Sequence, residues 1–232
     1  MTERGVRRHG AAASRAVATA AAAAALALFA LMPSACRGGH AEKPPPETSA
    51  AATKLVDAIR RSLTSTWAVD ERFDRISTTG QRIGTDQHRA QRPPDRVTKA
   101  AGTVDARVGG RIVACAPDPS GTQQCRDGGP APPYDDDVAL GVAAIDKLVH
   151  GASDPPLYAV ADEGKGCFRL RLLQPRYIAP PYGTTARLCF DPATGAPIRT
   201  EINRPEGSDV TVATAVRPTV TDADLAVPVP GR

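Results

Sequence analysis

The sequence predicts an α+β domain, an antiparallel sheet carrying an N-terminal helix and one inserted helix, and three observations support this. Short segments of alternating apolar and polar residues are separated by turn dipeptides or Pro/Gly clusters. Two stretches, near residues 55–63 and 138–149, instead repeat apolar residues at helical spacing. Strands do not alternate with helices as in βαβ units, and no internal repeat runs through the 232 residues, so parallel-sheet and solenoid architectures are excluded.

The chain opens with Arg4, Arg7, Arg8 and Arg15 against Glu3, then a 17-residue run from Ala16 to Met32 interrupted only by Thr19. A basic stretch before an apolar run reads as an export signal, here residues 1–35. Four of the 29 basic and one of the 25 acidic residues lie in this leader, which leaves 25 against 24 from Cys36 onward. The formal charge of +4 therefore belongs mostly to the leader and gives no argument for a nucleic-acid partner. Leu, Ile, Val and Phe supply 37 of the 197 residues from Cys36 on, so a folded domain with a thin core is expected.

The leader ends in Ser34, Ala35 and Cys36, which resembles the lipobox of bacterial lipoproteins, where small residues precede a Cys that is lipidated and becomes the new N-terminus. Pro33 departs from that pattern, and this leaves open ordinary cleavage, after Ala41 for example, or retention of the leader. Cysteine parity favours the lipid. In an oxidising compartment Cys115, Cys125, Cys167 and Cys189 form an even set within the patterned region, and Cys36 is left over. Residues 36–50, with three consecutive prolines and no apolar period, read as a tether, and residues 51–232 as a single domain. The expected location is the outer side of the cytoplasmic membrane, held there by the lipid on Cys36.

Within the domain, a helix is predicted from about Ala51 to Ser65, with Leu55, Val56, Ile59 and Leu63 on one face and Lys54, Asp57 and Arg61 outside it. Trp67, Val69 and Phe73 begin a strand, and Arg82–Gln91 and Arg96–Ala100 are weaker strands separated by Pro93 and Pro94. Thr103–Val108 and Arg111–Cys115 flank Gly109 and Gly110, a dipeptide suited to a two-residue hairpin turn. Pro117 to Pro133 is expected to be a long polar loop. Asp135, Asp136 and Asp137 then start a helix whose apolar positions are Val138, Val142, Ile145, Leu148 and Val149, and Gly151 stops it. Strands resume at Leu157–Ala161, 167–173, 185–190, Ile198–Asn203 and Asp209–Val216, a meander-like order.

Strand geometry selects one of the three disulfide connectivities. If 167–173 and 185–190 pair antiparallel with Cys167 opposite Cys189, Phe168 faces Leu188 and Leu170 faces Ala186. The cysteines then share a face with Arg169, Arg171 and Arg187, and one register satisfies both the bridge and the apolar face. By subtraction Cys115 pairs with Cys125. The arginine face would either meet anionic head groups or be solvated and paired with nearby carboxylates.

Chemistry-bearing motifs are absent. The Asp135–Asp137 run lacks the spaced oxygen ligands of a cation loop and serves a helix start; His40, His88 and His150 are dispersed; and no GxSxG, HExxH or CxxC occurs. Gly164-Lys165-Gly166 lacks the rest of a phosphate loop and reads as a turn. No catalytic residue, metal site or cofactor is expected.

The order of elements, the RPPDRV stretch before the Gly109-Gly110 hairpin, the run LCFDPATGAPIRTEI at 188–202 and DADLAVP at 222–228 together resemble the LolA-like group over about residues 52–228. That group comprises periplasmic outer-membrane-lipoprotein carriers and their lipoprotein relatives. The resemblance implies a curved antiparallel sheet, an incomplete barrel whose helices close an apolar cavity, and non-covalent binding of a lipid or other amphiphile there. Candidate lining residues are Trp67, Val69, Val104, Phe168, Leu170, Leu188, Phe190, Ile198 and Ile202. The alternative it implies is an envelope sensor or structural protein that binds a membrane or protein partner without carrying lipid.

Overall fold

A computed structural model describes residues 46–151 and 155–228. The leader, Cys36 and the tether up to residue 45 lie outside the described residues. Among the described residues, three helices, α1 (Pro46–Thr64), α2 (Tyr134–His150) and α3 (Asp222–Leu225), accompany eleven strands. The first six are β1 (Trp67–Ser77), β2 (Arg82–Arg92), β3 (Asp95–Ala100), β4 (Thr103–Val108), β5 (Arg111–Pro117) and β6 (Gln123–Pro130). After α2 come β7 (Tyr158–Gly164), β8 (Cys167–Leu172), β9 (Thr185–Phe190), β10 (Pro197–Arg204) and β11 (Gly207–Arg217).

All eleven strands form one antiparallel sheet in the order β6-β5-β4-β3-β2-β1-β11-β10-β9-β8-β7. Every sequential pair is a hairpin except β6 and β7, which are the two free edges, and α2 carries the chain from one edge to the other. The sheet is curved and does not close into a barrel. At β1, consecutive Ala68 and Val69 are both fully buried although they point to opposite faces, so the sheet is covered on both sides there.

One face packs against α1 and α2. Leu55, Val56, Ile145 and Val149 meet Tyr158, Val160, Phe168, Leu170, Leu188 and Phe190 in the largest apolar cluster, and Trp67, Val69 and Ala196 form a smaller one. The two helices run antiparallel: the Tyr134 hydroxyl at the start of α2 donates to the Leu63 carbonyl, and His150 at its end lies 3.4 Å from the Thr53 hydroxyl. On the opposite face Ala68, Ala90, Val97, Val104, Ala106 and Cys115 pack under Leu225 of α3.

The C-terminus of α1 has a side-chain cap. The buried Gln91 amide donates to the carbonyls of Ser62, Leu63 and Ser65 at 2.8–2.9 Å, and the Trp67 indole donates to Ser62 at 2.9 Å. These donors satisfy carbonyls that the end of a helix leaves without internal partners.

Both bridges form as the strand geometry requires, Cys167 opposite Cys189 and Cys115 opposite Cys125. Phe168 faces Leu188 and Leu170 faces Ala186. Gly109 and Gly110 take positive φ of 59° and 73° in the β4–β5 turn.

Three expectations change. Residues 123–130, expected as loop, form β6. This edge strand is largely exposed and so shows no apolar alternation; the Cys115–Cys125 bridge, the Arg111–Asp127 ion pair and a turn in which Asp118 accepts the Ser120 and Thr122 N–H groups hold it. The first helix begins at Pro46 rather than Ala51, taking residues 46–50 from the expected tether, and proline is well suited to a first helical position where its missing N–H costs no bond. The 222–228 stretch opens with α3, started by a capping box in which Thr221 and Asp224 satisfy each other's backbone N–H.

Candidate functional site

Lys54, Asp57, Ala58 and Arg61 recur at i, i+3, i+4 and i+7, so they share one face of α1. That face overhangs the β7–β8 turn at Gly164-Lys165-Gly166 and the β9–β10 turn at Asp191–Gly195, and encloses with them a pocket of about 370 Å³. Its floor holds the Phe168 and Phe190 side chains; Lys54, Arg61 and Lys165 stand at its rim with Asp57, Asp162 and Asp191.

The rim charges divide into paired and unpaired. Lys54 reaches Asp162 at 2.8 Å, and this ammonium, then the Gly164 N–H, holds the Asp162 carboxyl below the usual carboxylate range. Asp57 is paired with Arg60 at 2.8 Å, and Asp191 is satisfied by the Ala193 N–H and Thr194 hydroxyl of its own turn. Among the described residues, Arg61 and Lys165 have no carboxylate partner; Arg61 donates to the Pro192 carbonyl at 3.4 Å. The β7–β8 turn needs glycine at 166, because a Cβ there would lie 2.4 Å from the Phe190 carbonyl oxygen.

The nine candidate lining residues do not form one cavity. Phe168, Leu170, Leu188, Phe190 and Ile202 gather against α1 and α2, and of these Phe168 and Phe190 reach the pocket. Trp67 and Val69 lie in the neighbouring small cluster, and Ile198 is half-buried beside the irregularity between Pro197 and Arg199. Val104 belongs to the opposite face, under α3. Leu170, Leu188 and Ile202 pack in the apolar cluster against α1 and α2.

Other sequence features find structural partners. Arg169 and Arg187 share the Glu163 carboxylate at 2.5 and 2.7 Å, so that part of the arginine face is paired. Asp137 binds Arg107 at 2.9 Å and Arg96 at 3.4 Å, tying the start of α2 to β3 and β4. His88 is built into the opposite face, its Nδ1 2.7 Å from Asp70 and its Nε2 3.3 Å from Asp224, which also pairs with Arg217. It borders a pocket of about 550 Å³ lined also by Asp70, Lys99 and Val104. Among the described residues no group of three or more His, Cys, Asp or Glu is placed to hold a metal ion, and no helix is long and apolar enough to cross a membrane.

Sequence reasoning missed the α1 overhang. Their spacing places Lys54, Asp57 and Arg61 on the solvent side of the helix, and only Ala58 between them and the glycine-flanked Lys165 signal a close approach.

No protein-family model matches the chain, and no curated protein matches it. Similar solved structures include MucB in complex with MucA(peri), at 15% identity and a TM-score of 0.40 over 78% of this chain; this chain spans 60% of that one. They also include a LolA superfamily protein from Nitrosomonas europaea, at 7% identity and a TM-score of 0.32 over 76% of this chain and 97% of that one. LprF from Mycobacterium bovis matches at 13% identity and a TM-score of 0.33, over 82% and 100% of the two chains.

Proposed function

We propose that the chain is an exported, membrane-anchored protein whose domain binds a lipid or other hydrophobic ligand non-covalently in the pocket between α1 and the β8–β9 hairpin. The observation that carries this reading is the pocket itself: two phenylalanine side chains form its floor, and Arg61 and Lys165 stand at its rim. An apolar floor takes a hydrocarbon chain and a polar rim takes its head, and about 370 Å³ falls within the range of small-molecule sites. Export rests on the leader, and anchoring on Cys36. The reading assigns the protein a binding role rather than catalysis.

The experiment is to purify the protein from an oxidising compartment without detergent and compare native with denaturing mass spectra. A mass increment present only in the native spectrum, identified as lipid after extraction, supports the reading; a bare mass in both, together with no uptake of added fatty acid, refutes it.

A second reading, an envelope protein that binds a protein partner, is favoured by one feature: β6 is a largely exposed free edge whose backbone groups can accept another strand. A stable crosslinked partner, lost when β6 is altered, would support it.

A further inference from the structure

The β8–β9 connection, residues 173–184, presents an apolar tip to solvent. Ile178 is 90% exposed and Tyr177 49% exposed, although large apolar side chains are otherwise mostly covered. The tip is held in shape. The Tyr177 N–H donates to the Gln174 carbonyl at 2.9 Å and the Gly183 N–H to the Pro180 carbonyl at 2.9 Å, so a turn stands on each side of Ile178 and Ala179. At its base the buried Tyr158 hydroxyl donates to the Gly183 carbonyl at 3.1 Å and accepts the Tyr182 N–H at 3.0 Å. An apolar side chain fixed outward by a braced loop loses little conformational freedom when it is buried by a partner.

Two further observations say what that partner is. Between Leu173 and Thr184 the only charged residue is Arg176, and Arg171 precedes it in β8, so the tip is apolar with a cationic flank. The tip lies at the end of β8 away from the pocket: the Leu173 N–H donates to the Leu157 carbonyl at 2.8 Å, and the Leu157 N–H donates to the Leu148 carbonyl at 2.9 Å in the last turn of α2. Residues 1–45 precede α1 and contain the 17-residue apolar run and Cys36.

From these we infer that Tyr177 and Ile178 form a membrane-contact tip, which rests on an anionic lipid surface and sets how the anchored domain lies on it. Ile178 enters the head-group boundary, Tyr177 occupies the interface with its hydroxyl toward water, and Arg171 and Arg176 meet lipid phosphates. The inference goes beyond ligand binding but shares with that reading the premise that the chain is held at a membrane, and its test separates the two.

The test uses the full chain reconstituted into phosphatidylcholine vesicles with or without phosphatidylglycerol. The Ile178→Trp variant is compared with Leu140→Trp and Ile83→Trp, which replace other exposed apolar residues; the buried Trp67 gives a constant background in each. Acyl chains brominated near the head group quench only an indole that enters the bilayer. Ile178→Trp is expected to lose most of its added emission, more so with phosphatidylglycerol, and to regain part of it when Arg176→Gln is added; the two control variants are expected to stay unquenched. A chain that floats with the vesicles while Ile178→Trp behaves like the controls overturns the tip. So does an indole that bromolipid leaves unquenched but that blue-shifts with envelope protein, which would make the loop a protein-docking surface. A chain that does not float overturns both the tip and the anchored reading, while leaving ligand binding in the α1 pocket to its own measurement.

Discussion

Phe168 and Phe190 stand in adjacent strands with ring centroids 6.5 Å apart and planes inclined at 59°, and together they floor the pocket beneath α1. Phe168 is the more deeply buried, at 4% exposure against 9%. Phe168→Ala is expected to destabilise the fold by about 3–5 kcal/mol, as for other core phenylalanines. Phe190→Leu should cost about 1 kcal/mol and weaken binding of a hydrophobic ligand more than it weakens the fold. Urea unfolding and ligand titration on the same samples separate the two effects.

Gln91 closes the end of α1. Gln91→Leu preserves apolar volume but leaves the carbonyls of Leu63 and Ser65 without this donor, and is expected to cost about 1–3 kcal/mol. The expected sign is a lower urea midpoint with an unchanged slope.

The two disulfides should differ in consequence. Each contributes roughly 2–4 kcal/mol, with the Cys167–Cys189 bridge, which spans 22 residues, slightly above the Cys115–Cys125 bridge, which spans 10. Replacing Cys167 and Cys189 by Ser loosens the hairpin under the pocket and should lower ligand affinity as well as melting temperature. The same replacement of Cys115 and Cys125 should lower melting temperature alone.

Acid sensitivity has a named source. Arg217, then the Thr221 N–H and hydroxyl, hold the Asp224 carboxyl well below the usual carboxylate range. The unfolded chain therefore takes up this proton first, and the stability Asp224 contributes is present above a pH of about 4 and is lost as pH falls toward the depressed native value. Asp224→Asn should be less stable than wild type at neutral pH and lose less on acidification, as read from melting temperatures across pH.

How much of this was legible in the sequence depends on what each residue buries. The Cys167–Cys189 register was legible because a bridge and an alternating apolar face had to agree on one pairing. β6 was not, because an exposed edge strand has no face to declare. α3 is one turn long, and only Thr221 and Asp224 mark its start. Val104 shows the limit of alternation: it establishes that alternate side chains point inward, but which layer they meet depends on register carried across β1 to β4, and here that layer is α3 rather than α1. The pocket was the least legible feature, since the same pattern describes a filled core and an open cavity.

The central claim is tested most directly at Ala58, which lines the pocket from α1. Titration of the protein with a fluorescent fatty acid should show saturable binding at one equivalent. Ala58→Trp, which places an indole in the pocket, should weaken that binding about tenfold or more, about 1.4 kcal/mol or above, with the fold intact by melting temperature and circular dichroism. Equal affinity in wild type and a folded Ala58→Trp variant, or no binding by either, would contradict a ligand site between α1 and the β8–β9 hairpin.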